Sequence, residues 1–376
     1  MGVGSCPALG QAVRLFEDTY HNKEVTLALV RTLGLRAATL LGVLLTVLVL
    51  LVVTLGASGF SDRILTAVIN EEIRGLRTSQ ATQSRNPEAL EAALEVRREE
   101  LIEFYGLNEA WWQRMPDTVF RVITLDLGDA RTLRSSKGSR KVSDIVLERL
   151  PNTALLLTSS LIITAVIGMA VGVKMATRVG SKLDRTVSFG AAVSFALPAW
   201  WTGILLILLL SFTFNILPSG GMYSTPPPEG GFARFFDLLK HALLPIITLV
   251  LVSVGPYLYS VRTMTLNVAQ EDHVLVARAK GLPEGKVMRQ HILRVAAPPI
   301  VTGLILSLVG SLGGSILVET VFNWNGMGRL YFEAVAGAPD EGLIVALTFI
   351  FTLMYVVARF VLEVLYLLLD PRVRYA

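Results

Sequence analysis

The sequence predicts an all-α polytopic membrane protein, and three observations carry that reading. Hydrophobic residues make up 52% of its 376 residues and charged residues only 17%. The apolar residues come in blocks rather than at amphipathic spacing, and about twenty in a row is what a helix needs to cross a bilayer core. Basic residues gather beside those blocks, so the net charge of +4 speaks for span orientation rather than for nucleic acid.

Residues 1–36 mix polar and apolar side chains without the ordered basic, apolar and cleavage regions of a signal peptide, and they read as a cytoplasmic helical segment. Between Arg36 and Asp62 lie 25 uncharged residues, which form the first transmembrane helix over 37–61. Residues 62–150 then leave the membrane with basic and acidic side chains nearly balanced. Within them Asn86-Pro87 opens the helix PEALEAALEVRREELIEFYG, with proline at its first position, acids early and Gly106 at its end. This is a mainly helical extracellular insertion. Residues 151–376 hold five further apolar runs, at 154–173, 187–214, 242–261, 295–318 and 343–368. Six spans return the C-terminus to the side of the N-terminus. Lys174, Arg178, Lys182 and Arg185, the basic excess of the long loop, and Arg372 and Arg374 of the tail all place their segments, and both termini, in the cytoplasm.

Several intramembrane features bear on transport. Pro198 frees backbone groups in the third run and permits either a moving gate or a static kink, beside Trp200 and Trp201, which suit an interface or packing. In the fifth run Gly303, Ser307, Ser311 and Ser315 recur every fourth residue, as do Gly310 and Gly314. Such a stripe allows close helix approach, as plain packing or around a passage. Arg359 and Glu363 share a helix face and can pair.

Other chemistries lack their residues. Cys6 is the only cysteine, the four histidines are scattered, and no metal site is expected. No GxxxxGK[ST] string exists to hold a nucleotide phosphate. The other spans lack the acids that a secondary transporter uses for coupling ions, and no nucleophile and base pair marks an intramembrane enzyme.

The connection from residue 271 to 299, EDHVLVARAKGLPEGKVMRQHILRVAAPP, is structured. Asp272 can cap a short helix, Gly281 suits the left-handed position after its last turn, Pro283 can open a second helix, and Pro298 and Pro299 can close it. A rigid hairpin with small alanines beside Arg278 and Lys280 is shaped to enter a cleft on another protein. Charge alone would also allow an ordinary basic loop.

The string Ala277-Arg278-Ala279-Lys280-Gly281-Leu282-Pro283 closely resembles the coupling loop of ABC-importer permeases of the dipeptide/oligopeptide/nickel class. Where the general importer loop has Glu-Ala-Ala, this chain has Leu275, Val276 and Ala277, as is usual in the peptide class. The strings Asn323-Trp324-Asn325-Gly326-Met327-Gly328-Arg329-Leu330 and Asp370-Pro371-Arg372-Val373-Arg374-Tyr375 are similar to that family too, although Asn325 stands where proline is usual. The resemblance covers roughly residues 105–376, and the stretch near 60–104 is longer than the family's usual form.

The resemblance implies the type I importer permease fold and alternating access driven by separate subunits. The implied partners are a second homologous permease, two ATP-binding-cassette ATPases that carry ATP and Mg, an extracellular solute-binding protein, and the lipid of the cytoplasmic membrane. No cofactor is expected in this chain. Ala277 is expected on the contact face for the ATPase, Trp324 at an outer entrance, and Gly303, Ser307, Gly310 and Gly314 toward the second permease. Peptides are the implied cargo, with oligosaccharides and then nickel as alternatives.

Overall fold

A computed structural model describes residues 7–80, 87–131, 133–311, 316–336 and 340–369, with side chains described over 31–79, 88–131, 133–304, 306–307, 316–336 and 340–364. Among these residues the fold is helical, with a single isolated bridge between Asp129 and Lys141. Helix α1 (Pro7–Ala57) runs unbroken through the first apolar stretch. α2 (Phe60–Gln80), α3 (Pro87–Phe104) and α4 (Trp111–Ile123) build the insertion. α5 (Val142–Thr177), α6 (Lys182–Ala196), α7 (Ala199–Leu206) and α8 (Gly231–Ala269) follow. The connection holds α9 (Asp272–Ala279) and α10 (Glu284–Lys286), and the chain ends with α11 (Leu293–Ser311), α12 (Ile316–Val321), α13 (Met327–Ala336) and α14 (Glu341–Leu369).

Four stretches, Arg31–Ala57, Val142–Thr177, Gly231–Ala269 and Glu341–Val364, are long and apolar enough to cross a membrane, and the pair α6 and α7 makes a fifth if it is one bent span. The fifth apolar run of the sequence falls on α11 and the start of α12, on either side of residues 312–315, which lie outside the described residues.

α5 and α8 form the centre and run in the same direction. Leu156 packs with Ala242 and Ile246, whereas further along Gly168 lies against Tyr257 and Gly172 against Leu258 and Val261. A Cβ on Gly172 would stand 2.8 Å from the Leu258 carbonyl oxygen, so glycine sets how near the two backbones come. Around them α1 lies on α14 through Leu44, Leu48 and Val52, a buried stripe repeating every fourth residue.

Two parallel neighbours need a connection that crosses back, and α6 with α7 supplies it. The sequence predicts a span with a kink permitted at Pro198. The structure breaks it instead, by 102°. Leu197 and Pro198 are both extended, because proline disfavours a helical residue before it and carries no N–H. The break lies level with the middle of α8, where the Ser194 hydroxyl donates to the carbonyl oxygens of Leu251 (2.6 Å) and Val252 (3.1 Å). The Val252 carbonyl is the one left without its helical donor by Pro256, four residues on, so α6 satisfies a group that α8 cannot. Beyond α7 the chain winds as a π-helix, Ile207–Thr213.

At the hairpin end of the spans Asp184, in the first turn of α6, is buried and takes two bonds from Arg262 of α8, Nε to Oδ1 at 2.6 Å and Nη2 to Oδ2 at 2.9 Å. Gly180 N–H adds a third donor. Removing one member of such a pair strands the other charge, at a cost of about 3 kcal/mol or more, whereas replacing both with apolar groups is often neutral. Asp184→Ala should therefore lower the melting temperature in detergent markedly, and Asp184→Leu combined with Arg262→Met should recover most of it. Equal losses in the single and double variants would contradict the pairing.

Candidate functional site

The hairpin between α8 and α11 has its own core. Val274 and Ala277 of α9 are buried against Val287, Ile292 and Ala296, with Leu282 and Met288 at the edge. Gly281 has φ +71°, as the turn requires of a residue without a Cβ. Across it the Arg278 guanidinium reaches Glu284 at 2.6 Å and 3.2 Å and holds that carboxyl below the usual carboxylate range.

Three expectations for this segment need correction. Asp272 is the first residue of α9 rather than its cap; Glu271 occupies the cap position without a side-chain cap bond and faces His273 at 3.2 Å. Pro298 and Pro299 do not close the second helix. From Glu284 the chain runs as α10, a π-helical turn Val287–Ile292 and α11, which contains both prolines. Ala277 points into the hairpin's own core rather than onto a free face.

The free face of α9 is carried by its neighbours. Leu275 is 54% and Val276 51% exposed, flanked by exposed Arg278, Ala279 and Lys280, and Pro283 is exposed beyond the turn. The other side of this short helix is already packed, so these two aliphatic side chains stand outside the hairpin's core. Sequence reasoning names the alanine and passes over Leu275 and Val276. The signal was present in the burial period: Val274 and Ala277, three apart, take one side of the helix and leave the two between them outside.

At the other end of the spans the residues around Asn323 form a fixed turn. Glu319 is buried, and its carboxylate accepts from Thr153 Oγ1 of α5 (2.9 Å) and from Arg329 N–H (3.0 Å). The backbone can come this close because residues 326 and 328 are glycine. A Cβ on Gly326 would lie 2.6 Å from Glu319 Cδ. Asn152 of α5 donates to the Asn325 carbonyl (2.6 Å), and Arg149 donates to the Asn325 side chain (2.8 Å), so the residue found in place of proline is tied by both its backbone and its side chain.

Trp324, expected at an entrance, is fully buried with Leu156, Ala242, Ile246 and Val250, and its indole N–H donates to the Asn152 carbonyl (3.0 Å). In this conformation the ring is part of the core. Pro198 and Trp201 lie exposed where α6 gives way to α7. A Cβ on Gly303 would meet nothing within 4 Å, and Ser307 is exposed with its hydroxyl on the Gly303 carbonyl (2.8 Å), so this part of the stripe is an open face. The surroundings of Gly310 and Gly314 lie outside the described residues, as does the tail motif from Asp370. Arg359 and Glu363 pair at 3.3 Å, as their spacing predicts.

Comparison with known proteins adds three findings. Residues 165–375 match the family model described as binding-protein-dependent transport system inner membrane component. The oligopeptide transport system permease protein AppB of Bacillus subtilis (strain 168) is 32% identical over 278 residues, covering 74% of this chain and 85% of that protein, and the dipeptide transport system permease protein DppB of Escherichia coli (strain K12) is 29% identical over 296 residues, covering 74% and 86%. A chain of the MetNI methionine ABC transporter, solved in inward facing conformations, superposes with a TM-score of 0.48 at 18% identity, over 60% of this chain and 96% of that one.

The glycines of the Asn323 turn provide a test of its packing. Gly326→Ala forces a methyl group against a buried carboxylate and should destabilise by about 1–3 kcal/mol. Gly303→Ala, on an open helix face, should be close to neutral. Thermal unfolding of both variants in one detergent measures the difference, and equal melting temperatures would show that the turn is not clamped on Glu319.

Proposed function

This chain belongs to the family of binding-protein-dependent transport system inner membrane components, and from that premise we propose that it is the peptide permease subunit of an ATP-driven importer. The peptide cargo is supported by relatives named for oligopeptides and dipeptides. The other readings, oligosaccharide or nickel cargo and a secondary transporter, have no comparable support.

The observation that carries the mechanism is the half-exposed pair Leu275 and Val276 on a hairpin whose own core is complete. In this reading the hairpin is cytoplasmic, and its Leu275, Val276 and Ala279 face, with Arg278, Lys280, Gly281, Leu282 and Pro283 around it, docks into a groove on an ABC ATPase. The sequence has no GxxxxGK[ST] string, and in this reading the nucleotide is held elsewhere. ATP and Mg belong to two ATPase partners, and their closure moves the hairpin. The second helix of the hairpin continues as α11, so the displacement enters the spans directly and rocks them between inward- and outward-open states. A second permease meets the open Gly303 and Ser307 face, and a solute-binding protein delivers cargo on the opposite side, where residues 62–150 stand. Both termini then face the cytoplasm, with residues 1–36 ahead of the first span at 37–61 and the core at 151–376.

Two experiments test this reading. In reconstituted complexes of equal abundance, Leu275→Asp, Val276→Asp and Gly281→Val should each leave the permease folded while separating ligand-stimulated ATP hydrolysis from uptake. Ala277→Asp should instead loosen the hairpin itself, seen as faster amide exchange in α9. Wild-type coupling in the three surface and turn variants would end the docking reading. For orientation, a single cysteine at Glu95 in a Cys6→Ser background should react with a membrane-impermeant maleimide in intact cells. Labelling only after lysis would reverse the topology.

A further inference from the structure

Helix α4 lies where the first span leaves the membrane. The Trp111 ring packs on Gly56, one residue before α1 ends; a Cβ there would stand 2.6 Å from the ring. Arg114 bonds Asp62 at the start of α2. After α4 the chain reaches the start of α14, where Arg131 N–H donates to Asp340 Oδ2 (2.5 Å) and Asp340 Oδ1 accepts from Leu343 N–H (3.2 Å) in the first turn. The start of α4 is thus held beside the end of α1, its last turn packs through Val122 on the core shared by α1 and α14, and the chain beyond it is tied to the start of α14.

Its sequence, WWQRMPDTVFRVI, divides into three arcs. At about 100° per residue, Trp111, Met115, Val119 and Val122 fall together, and this side packs on the core shared by α1 and α14. Trp112, Pro116, Phe120 and Ile123 fall on the adjoining arc and are exposed, Trp112 to 60%, Phe120 to 67% and Ile123 to 46%. Gln113, Asp117 and Arg121 fill the remaining exposed arc. About half of the circumference is therefore apolar, but protein covers only part of it.

We propose that α4 is an interfacial helix, with Trp112, Phe120 and Ile123 inserted among lipid headgroups and upper acyl chains while Gln113, Asp117 and Arg121 face water. The occupant follows from position. The apolar arc sits at the exit of α1, and the exposed side chains of α1 further along, Leu41, Leu45 and Leu50, are apolar too, so the medium that surrounds the span is the one this arc meets at its exit. A helix with an apolar face, a charged face and a tryptophan at the boundary is the form that lies in a bilayer interface. The inference needs α1 and α14 to be spans and does not depend on which side of the membrane the insertion faces.

Nitroxide labels on single cysteines in a Cys6→Ser background test it, with the full chain in nanodiscs of phosphatidylethanolamine and phosphatidylglycerol. At Phe120→Cys and Ile123→Cys the ratio of collisions with dissolved oxygen to collisions with a water-soluble nickel chelate should be several-fold higher than at Asp117→Cys. Equal ratios at all three sites would place the apolar arc in water. Labels at 120 and 123 shielded from both reagents would mean that protein covers the arc. Either outcome overturns the proposal. Two apolar-arc sites are used so that a folding defect in one variant leaves the other to decide.

Discussion

A bilayer core offers no water to a carbonyl left without its helical donor, and much of this architecture follows from that constraint. Pro256 lies inside the helix at the centre of the molecule and frees the carbonyl of Val252. The group is answered from outside the helix, by Ser194 of α6. The same contact sets how α6 crosses α8, because Gly255 next to the proline lets Ala191 and the Ser194 side chain approach. A helix breaker in one element thus becomes the attachment point of another. Its placement also explains why the chain can turn sharply just beyond Ser194, since α6 is already anchored when Leu197 and Pro198 leave the helical conformation.

The two ends of the central helix pair are fastened by different chemistry. At the hairpin end a buried carboxylate meets a guanidinium in a two-pronged bond with one further backbone donor. At the insertion end a buried carboxylate, Glu319, is held by a hydroxyl and by one backbone N–H, and its backbone neighbours are glycines because nothing larger would fit. Neither arrangement is expected to add much net stability, since desolvation offsets most of the attraction. What they supply is register. Each fixes one connection against one helix at a single setting, and an alternative setting would leave a charge or a carboxylate without partners in an apolar surrounding.

Much of this was legible in the sequence. Four of the six apolar runs are found as helices long and apolar enough to cross a membrane, because length and lack of charge are enough to define such helices. The short helix, Gly281 turn and second helix were readable because a left-handed position and a proline carry local signals. Burial within the hairpin was not readable from the resemblance, which marks Ala277 without saying which way it points. The 102° break was understated, since a proline announces a disturbance and its size depends on what holds the flanking helices. The burial of Trp324 was not readable for a similar reason: a large aromatic ring in a glycine-rich turn suits a plug or a core equally well until its neighbours are known. The three arcs of α4 were present in the spacing of Trp112, Phe120 and Ile123, but short helices in extramembrane insertions do not draw attention as spans do.

The self-contained core of the hairpin has an evolutionary consequence. Because Val274, Ala277, Val287 and Ile292 hold the hairpin together among themselves, its outward residues are released from folding duty and can drift with whatever surface they meet. In the docking proposed above, exchange of energy-supplying subunits between related transporters would then be limited by a few side chains on one face of an eight-residue helix. Compensating changes should accumulate at Leu275 and Val276, while the alanine beside them stays constrained by its neighbours within the same chain.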